Sequence, residues 1–219
     1  FLADRQRFPN IDLITVVGNC DGASLVQRWA IFSSIPAWDM YTEKHLEPHS
    51  RFGKGPRIRT VALNPTELTY LSNKRYVQEL PQCNRKRNIY YDSYPFGLDM
   101  RSARFGSFPY VKAALEGMGL TDIALRYASR EVIYLSTSLD ITPKSPKHCP
   151  SFLQGETNYQ VSANYYRHLS EHFGRKVHEL LVIKGVEHDH ALAFQSTNGL
   201  LAVFGGADVC PAAPATIFD

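Results

Sequence analysis

The chain has 219 residues, enough for one domain with a real core. Hydrophobic residues at 44%, aromatics at 12% and charged residues at 21% give the composition of a folded globular protein and exclude a disordered or low-complexity chain. The net charge of +3, with both signs scattered along the sequence, indicates no nucleic-acid partner, and no apolar run approaches the ~20 residues of a membrane span.

Phe1 to Asn10 carries Asp4, Arg5 and Arg7 where a signal peptide would be apolar. Ile11 to Val17 (IDLITVV) is β-rich and stops at Gly18, which predicts a buried strand. After Gly22, the stretch Ala23 to Phe32 places Leu25, Val26, Trp29 and Ala30 on one helical face. A loop over Pro36 to Pro56 leads to a second strand, Ile58 to Leu63, closed by Asn64-Pro65. Thr66 to Arg101 has no regular period and holds five tyrosines, Cys83 and the basic cluster Arg85-Lys86-Arg87. It predicts an irregular excursion over the sheet, within residues 65–108. Pro109 to Arg126 is helix-compatible, with Gly117 and Gly119 as interruptions, and Val132 to Leu135 is a third strand ending near Asp140. A proline-rich loop, a helix over Thr157 to Phe173 ended by Gly174, a fourth strand at Leu180 to Ile183 and a last helix over Ala191 to Phe204 complete the chain. Strands alternating with helices predict an α/β fold with a mostly parallel sheet covered on both faces.

The turn between the first strand and helix reads Gly18-Asn19-Cys20-Asp21-Gly22. This Gly-x-Cys-x-Gly has the spacing of a nucleophile elbow, in which a strained turn lifts the central side chain above the sheet and the next backbone N–H points into an oxyanion site. A glycine-rich turn around an inert buried cysteine has the same string. Asp140 follows the third strand and His188 the fourth, so all three residues fall at strand carboxyl ends, where sites of open α/β sheets gather. A thiol, an imidazole and a carboxylate in that chain order form a workable nucleophile, base and orienting acid. Taken singly, Asp140 also reads as a loop cap and His188 as a solvated loop residue.

The stretches VVGNCDGASLVQRWA, TVALNPTELTYL, YPFGLDM, EVIYLSTSLD, CPSFLQG and LLVIKGVEHDHALAF together resemble an uncharacterised group of fungal-type α/β-hydrolases, which is similar to depolymerase-like and dienelactone-hydrolase-like esterases. The resemblance runs from about Asn10 to Phe204. It implies Cys20, Asp140 and His188 as triad positions, the backbone N–H of Asp21 as an oxyanion donor, and Cys83 with Cys149 as a disulfide pair. Such a disulfide belongs to an oxidising compartment; two free thiols belong to a reducing one. The group usually reads Gly-His-Ser-Ala-Gly where this chain reads Gly-Asn-Cys-Asp-Gly, so the nucleophile and its neighbours differ. The carboxylate of Asp21 stands beside the position where negative charge would develop.

No C-x-x-C pair exists among the four cysteines, the fourth being Cys210, so no metal and no cofactor is expected. His168 and His172 are spaced i, i+4 and read as a solvated helix face ahead of a metal pair. Tyr70, Tyr90, Tyr91, Tyr94 and Phe96 read either as the aromatic wall of a cleft or as core packing. Two functions of different class follow. One is an ester or thioester hydrolase using Cys20, His188 and Asp140. The other is a catalytically inactive α/β-hydrolase-like structural or binding subunit. Ile11 to Val17 lacks alternation, which predicts a central strand buried on both faces. Residues 1–10 are too polar to pair beside it, and roughly four strands precede the elbow in the resembled fold. An upstream fragment or a second polypeptide is therefore expected to complete the sheet along Ile11 to Val17.

Overall fold

The structure, a computed structural model, describes residues 7–8, 10–34, 56–78, 80, 83, 90–99 and 108–205. The expected loop over Pro36 to Pro56 and the Arg85-Lys86-Arg87 cluster lie almost wholly outside the described residues. Four strands form one sheet in the order β1-β2-β3-β4, with every neighbouring pair parallel. They are β1 (Leu13–Asn19), β2 (Arg57–Leu63), β3 (Glu131–Thr137) and β4 (Glu179–Ile183). A single rung crosses the sheet through Asn19, Leu63, Leu135 and Leu181, so all four carboxyl ends lie along one edge.

Side chains alternate across the two faces, as the period of a strand requires. Ala62, Val132 and Tyr134 pack into one core with α1 (Asp21–Phe32), α3 (Leu120–Ala128) and α5 (Asn158–Phe173). Val61, Leu63, Ile133, Leu135 and Ile183 pack on the other face against Ala193 of α6 (His190–Gln195) and Ala202 of α7 (Thr197–Phe204). This is the α/β architecture expected, with a parallel sheet between helical layers. No helix among the described residues is long and apolar enough to cross a membrane.

Several boundaries differ from the sequence expectation, each for a local reason. β1 covers Leu13–Asn19, two residues later than expected, because its pairing with β2 continues through Gly18 to Asn19. Within the described residues β1 pairs only with β2 and lies at the sheet edge. It is half-buried, and Val17 is 37% exposed, so the expectation of a strand covered on both faces is not met there. The expected helix over 109–126 is two, α2 (Pro109–Gly117) and α3, because the chain turns extended at Met118 and Gly119. The last helix likewise divides into α6 and α7 at Ser196, whose hydroxyl accepts the Gly199 N–H at 3.0 Å and starts a new helix. Gly199 must be glycine for packing: a Cβ there would lie 2.1 Å from the Ala193 carbonyl oxygen.

The described part of the excursion holds no helix and only the isolated bridge between Leu80 and Cys83. Polar anchors take the place of regular structure. The buried Arg75 guanidinium donates to the carbonyl of Ser72 at 2.8 Å and to the Asp92 carboxylate at 2.9 Å, and stacks over Tyr70 at 4.0 Å. Gln154 holds both the N–H and the carbonyl of Leu68, each at 2.7 Å. Cys83 and Cys149, the latter opening α4 (Cys149–Phe152), are joined in a disulfide that ties the excursion to the loop after Asp140.

Candidate active site

The elbow is a geometric necessity of strand and helix meeting head to tail. Cys20 takes φ 53° and ψ −117°, a conformation that costs a non-glycine residue ~1–3 kcal/mol. Its N–H is held by the Leu63 carbonyl at 3.0 Å and its carbonyl receives Ser24 N–H at 3.2 Å, so neighbouring strand and following helix both enforce the turn. Of the two elbow glycines, only Gly18 is dictated by space. A Cβ at Gly18 would meet the Gly22 carbonyl oxygen at 2.1 Å, whereas one at Gly22 would meet nothing within 4 Å. Asp21 is the first residue of α1, and its N–H is one of the helix-start donors that have no partner within a helix.

The loops after β3 and β4 clasp each other. Ser138 N–H donates to the Ile183 carbonyl at 2.9 Å and Leu139 N–H to the Val186 carbonyl at 3.0 Å, while Gly185, at φ 73°, donates its N–H to the Ser138 hydroxyl at 2.9 Å. This brings Asp140 under His188. Asp140 Oδ2 lies 2.7 Å from His188 Nδ1, and His188 Nε2 lies 2.7 Å from Cys20 Sγ. Asp140 is 2% exposed and the His188 side chain 43%, so the carboxylate is fixed in the interior while the imidazole faces the solvent. A carboxylate accepts only from Nδ1–H, which leaves the Nε2 lone pair toward the thiol. The three candidate residues named from sequence thus meet within hydrogen-bond reach.

The thiol is pushed above its ordinary pKa, first by burial and then by the negative charges of Asp140 and Asp21, with a hydrogen bond to Asn19 working the other way. The resting arrangement is a protonated thiol facing the imidazole. The Asp21 carboxylate does not stand loose: its Oδ1 accepts the Thr66 hydroxyl at 2.7 Å. Lys144 Nζ and the Ser151 hydroxyl, the latter at 3.1 Å, both donate to the Thr66 carbonyl. Burial lowers Lys144 to about 8 against the opposing pull of Glu67 and Asp140.

Sequence reasoning missed Thr66, Lys144, Asn64 and Asn158. Asn64, at φ 45°, continues the β2–β3 ladder with its side chain, accepting Thr137 N–H at 2.9 Å and donating to the Thr137 hydroxyl at 2.8 Å. The Asn158 amide lies 3.4 Å from Asp140 Oδ1. The Asn64-Pro65 pair was visible as a strand stop; its side-chain pairing had no sequence signal. Other expectations are corrected. His168 is not solvated: it is 1% exposed, packs on Tyr70 with ring centres 4.6 Å apart, and accepts Leu71 N–H at 3.2 Å. Tyr70 and Tyr94 are core residues at 0% and 3% exposure, which decides the two against a cleft wall. Asp189 caps α6 by accepting Leu192 N–H at 3.0 Å. No group of three His, Cys, Asp or Glu side chains among the described residues is placed to hold a metal.

No family model and no curated protein matches the sequence. Among solved structures, the chain is similar to a poly(3-hydroxybutyrate) depolymerase from Bordetella parapertussis, at 20% identity and a TM-score of 0.49 over 86% of this chain and 48% of that one. It is also similar to poly(aspartic acid) hydrolase-1 from Sphingomonas sp. KT-1, at 16% identity and a TM-score of 0.48 over 90% of this chain and 58% of the other. The chain spans about half the length of these structures.

Proposed function

We propose that the protein is an ester or thioester hydrolase of the α/β-hydrolase type, with Cys20 as nucleophile, His188 as base and then acid, and Asp140 as the carboxylate that orients the imidazole. The observation that carries this reading is the unbroken relay from Asp140 Oδ2 through His188 to Cys20 Sγ, each step 2.7 Å. In the first half-reaction His188 Nε2 takes the thiol proton as sulfur attacks the acyl carbon. The Asp21 N–H, at the positive end of α1, faces the developing oxyanion. Collapse breaks the bond to the leaving oxygen or sulfur, which receives the proton from His188. In the second half-reaction His188 takes a proton from water as its oxygen attacks the thioester carbon, the C–S bond breaks to release the acid, and the sulfur recovers the proton from His188. Because burial, Asp140 and Asp21 keep the thiol protonated, the proton leaves during attack, and the reaction on simple esters is slow.

The test is hydrolysis of a chromogenic ester before and after iodoacetamide, beside Cys20→Ala. Both treatments are expected to remove turnover by roughly a hundred-fold or more, and Cys20→Ser to retain or raise it. Unchanged turnover in the alkylated protein and in Cys20→Ala would overturn the assignment. The outer edge of β1, which pairs only with β2 among the described residues, supports a second proposal: a further strand, from an upstream segment or another polypeptide, pairs there. Native mass spectrometry reads it, and a stable monomer of this chain alone sinks it.

A further inference from the structure

The loop after β2 is fastened on two sides. Glu67 pairs with Arg28 of α1 at 2.5 Å and its N–H donates to the Ser24 hydroxyl at 3.4 Å, while Lys144 and Ser151 hold the Thr66 carbonyl from the loop after Asp140. The Thr66 hydroxyl therefore has little room to swing, and the carboxylate that it grips is fixed with it. Sheet order sets the direction. Thr66 follows β2, so the Asp21 charge is tied to the β2 side of Cys20, and the open edge of β1 lies on the other side. Among the described residues, the cations beside this loop are hydrogen-bonded to other groups: Arg28 to Glu67, and Lys144 to the Thr66 carbonyl and the Ser151 hydroxyl. Among the described residues, the charges that raise the thiol are the carboxylates of Asp140 and then Asp21. Asp140 is buried and hydrogen-bonded to His188, whereas Asp21 is exposed and accepts the neutral Thr66 hydroxyl.

We propose that Asp21 is a specificity-determining residue and Thr66 its positioning residue, together fixing a negative charge beside Cys20 that selects acyl compounds bearing a cationic group near the scissile bond. Quaternary-ammonium and aminoacyl esters or thioesters are the class implied. Neutral acyl compounds rank second and anionic ones last. The inference rests on Cys20 being the nucleophile of the proposed hydrolase. It accounts for a carboxylate at a place that otherwise opposes oxyanion formation: the substrate brings the counter-charge, on the side away from the open edge of β1.

The charge is measured without relying on hydrolysis. Three methanethiosulfonates, trimethylammonioethyl, methyl and sulfonatoethyl, each transfer their thioalkyl group to Cys20 Sγ and release methanesulfinate. The reaction is followed on the Cys20 peptide by mass spectrometry, so Cys210 does not contribute. The cation-to-anion rate ratio, divided by that of the same cysteine in the urea-unfolded chain, is expected to be roughly ten-fold or more at low salt and to shrink at high salt. Asp21→Asn should lower it to the part that Asp140 maintains. Thr66→Val should lower it, and Thr66→Ser, which keeps the hydroxyl, should restore it. A ratio near one in the native protein, or one that Asp21→Asn leaves unchanged, overturns the proposal. Turnover of 4-nitrophenyl butyrate, 4-(trimethylammonio)butyrate and hydrogen succinate separates the two readings. Turnover lost in Cys20→Ala but without preference for the cationic ester overturns this proposal alone. Absence of turnover with the reagent ratio intact overturns the hydrolase reading and leaves the fixed charge in place.

Discussion

The two ends of the sheet use buried charge in opposite ways. Toward the amino end, Arg59 of β2 is fully buried, pairs with Glu131 at 2.6 Å, and donates to the carbonyls of Ala202 at 3.1 Å and Gly205 at 2.5 Å, at the end of α7. Carboxylate and helix-end carbonyls converge on one guanidinium, and the cation meets the negative pole of the helix. At the carboxyl end, the chain of partners starts on buried Asp140 and finishes on a half-exposed imidazole and a thiol in a left-handed backbone. Several partners on one buried cation make a clamp. A relay whose last member faces solvent makes a reactive group, and backbone strain at Cys20 is tolerated because strand and helix are held elsewhere.

Breaking each end should therefore give opposite signatures. Asp140→Asn removes the acceptor that fixes Nδ1–H and is expected to lower ester turnover roughly 10³- to 10⁴-fold. The urea midpoint should hold or rise, since a buried carboxylate has gone. Arg59→Met is expected to cost about 3–5 kcal/mol in urea unfolding, because Glu131 and the carbonyls of α7 lose their shared partner. The alkylation rate of Cys20 in the folded protein should not change. A stability loss in the first variant comparable to that in the second would erase the contrast.

Much of this contrast was legible from sequence at one end and almost none at the other. Cys20, Asp140 and His188 each follow a strand readable by its apolar β-branched run, and parallel pairing then forces their strand ends to one edge. Nothing local marks Arg59. It sits inside IRTVAL as a charge in an apolar strand, and its partners are 72 and 143 residues away, at Glu131 and Ala202. Thr66 and Asn64 escaped for the same reason, since a hydroxyl or amide acquires its role only when another strand end arrives beside it. The buried His168 escaped because nothing local marks it apart from the exposed His172 on the same helix, while the covering aromatic Tyr70 comes from the excursion, which carries no periodicity.

The histidines sharpen the comparison through pH. His178 is 4% exposed, lies against Tyr127 and Tyr134, and is pushed down to about 4 by burial; His168 is pushed down to about 3 by burial and by Arg75. With folded-state values depressed, the unfolded chain takes these protons first. Stability from keeping the rings neutral is complete above about pH 6.5 and is lost as pH falls toward 4 and then 3. Each ring contributes on the order of a few kcal/mol. Urea midpoints from pH 7 to 4 should fall accordingly, and His178→Phe should flatten the slope over that window. An unchanged slope would show that His178 is already protonated in the fold or is not buried.

The smallest expected effect tests whether the two ends are independent, because α7 runs between them. Its start lies near the site end, where Ser196 accepts Gly199 N–H at 3.0 Å and Asn198 donates to the Val182 carbonyl of β4 at 2.9 Å. Its other end is the one that Arg59 grips. Ser196→Ala removes the cap and should cost about 1 kcal/mol, read as a lower urea midpoint. Three anchors away from the cap stay in place: Asn198 on Val182, the Arg59 bonds, and the Thr15 hydroxyl on the Val203 carbonyl at 2.9 Å. The helix should therefore fray only in its first turn. His188 is positioned by Asp140 and by the loop pairing of Ser138 and Leu139, none of which involves α7. Cys20 alkylation should accordingly keep its rate and its pH dependence in Ser196→Ala. A shift in either would mean that α7 transmits strain from the clamp to the relay, and the two ends would have to be treated as one device.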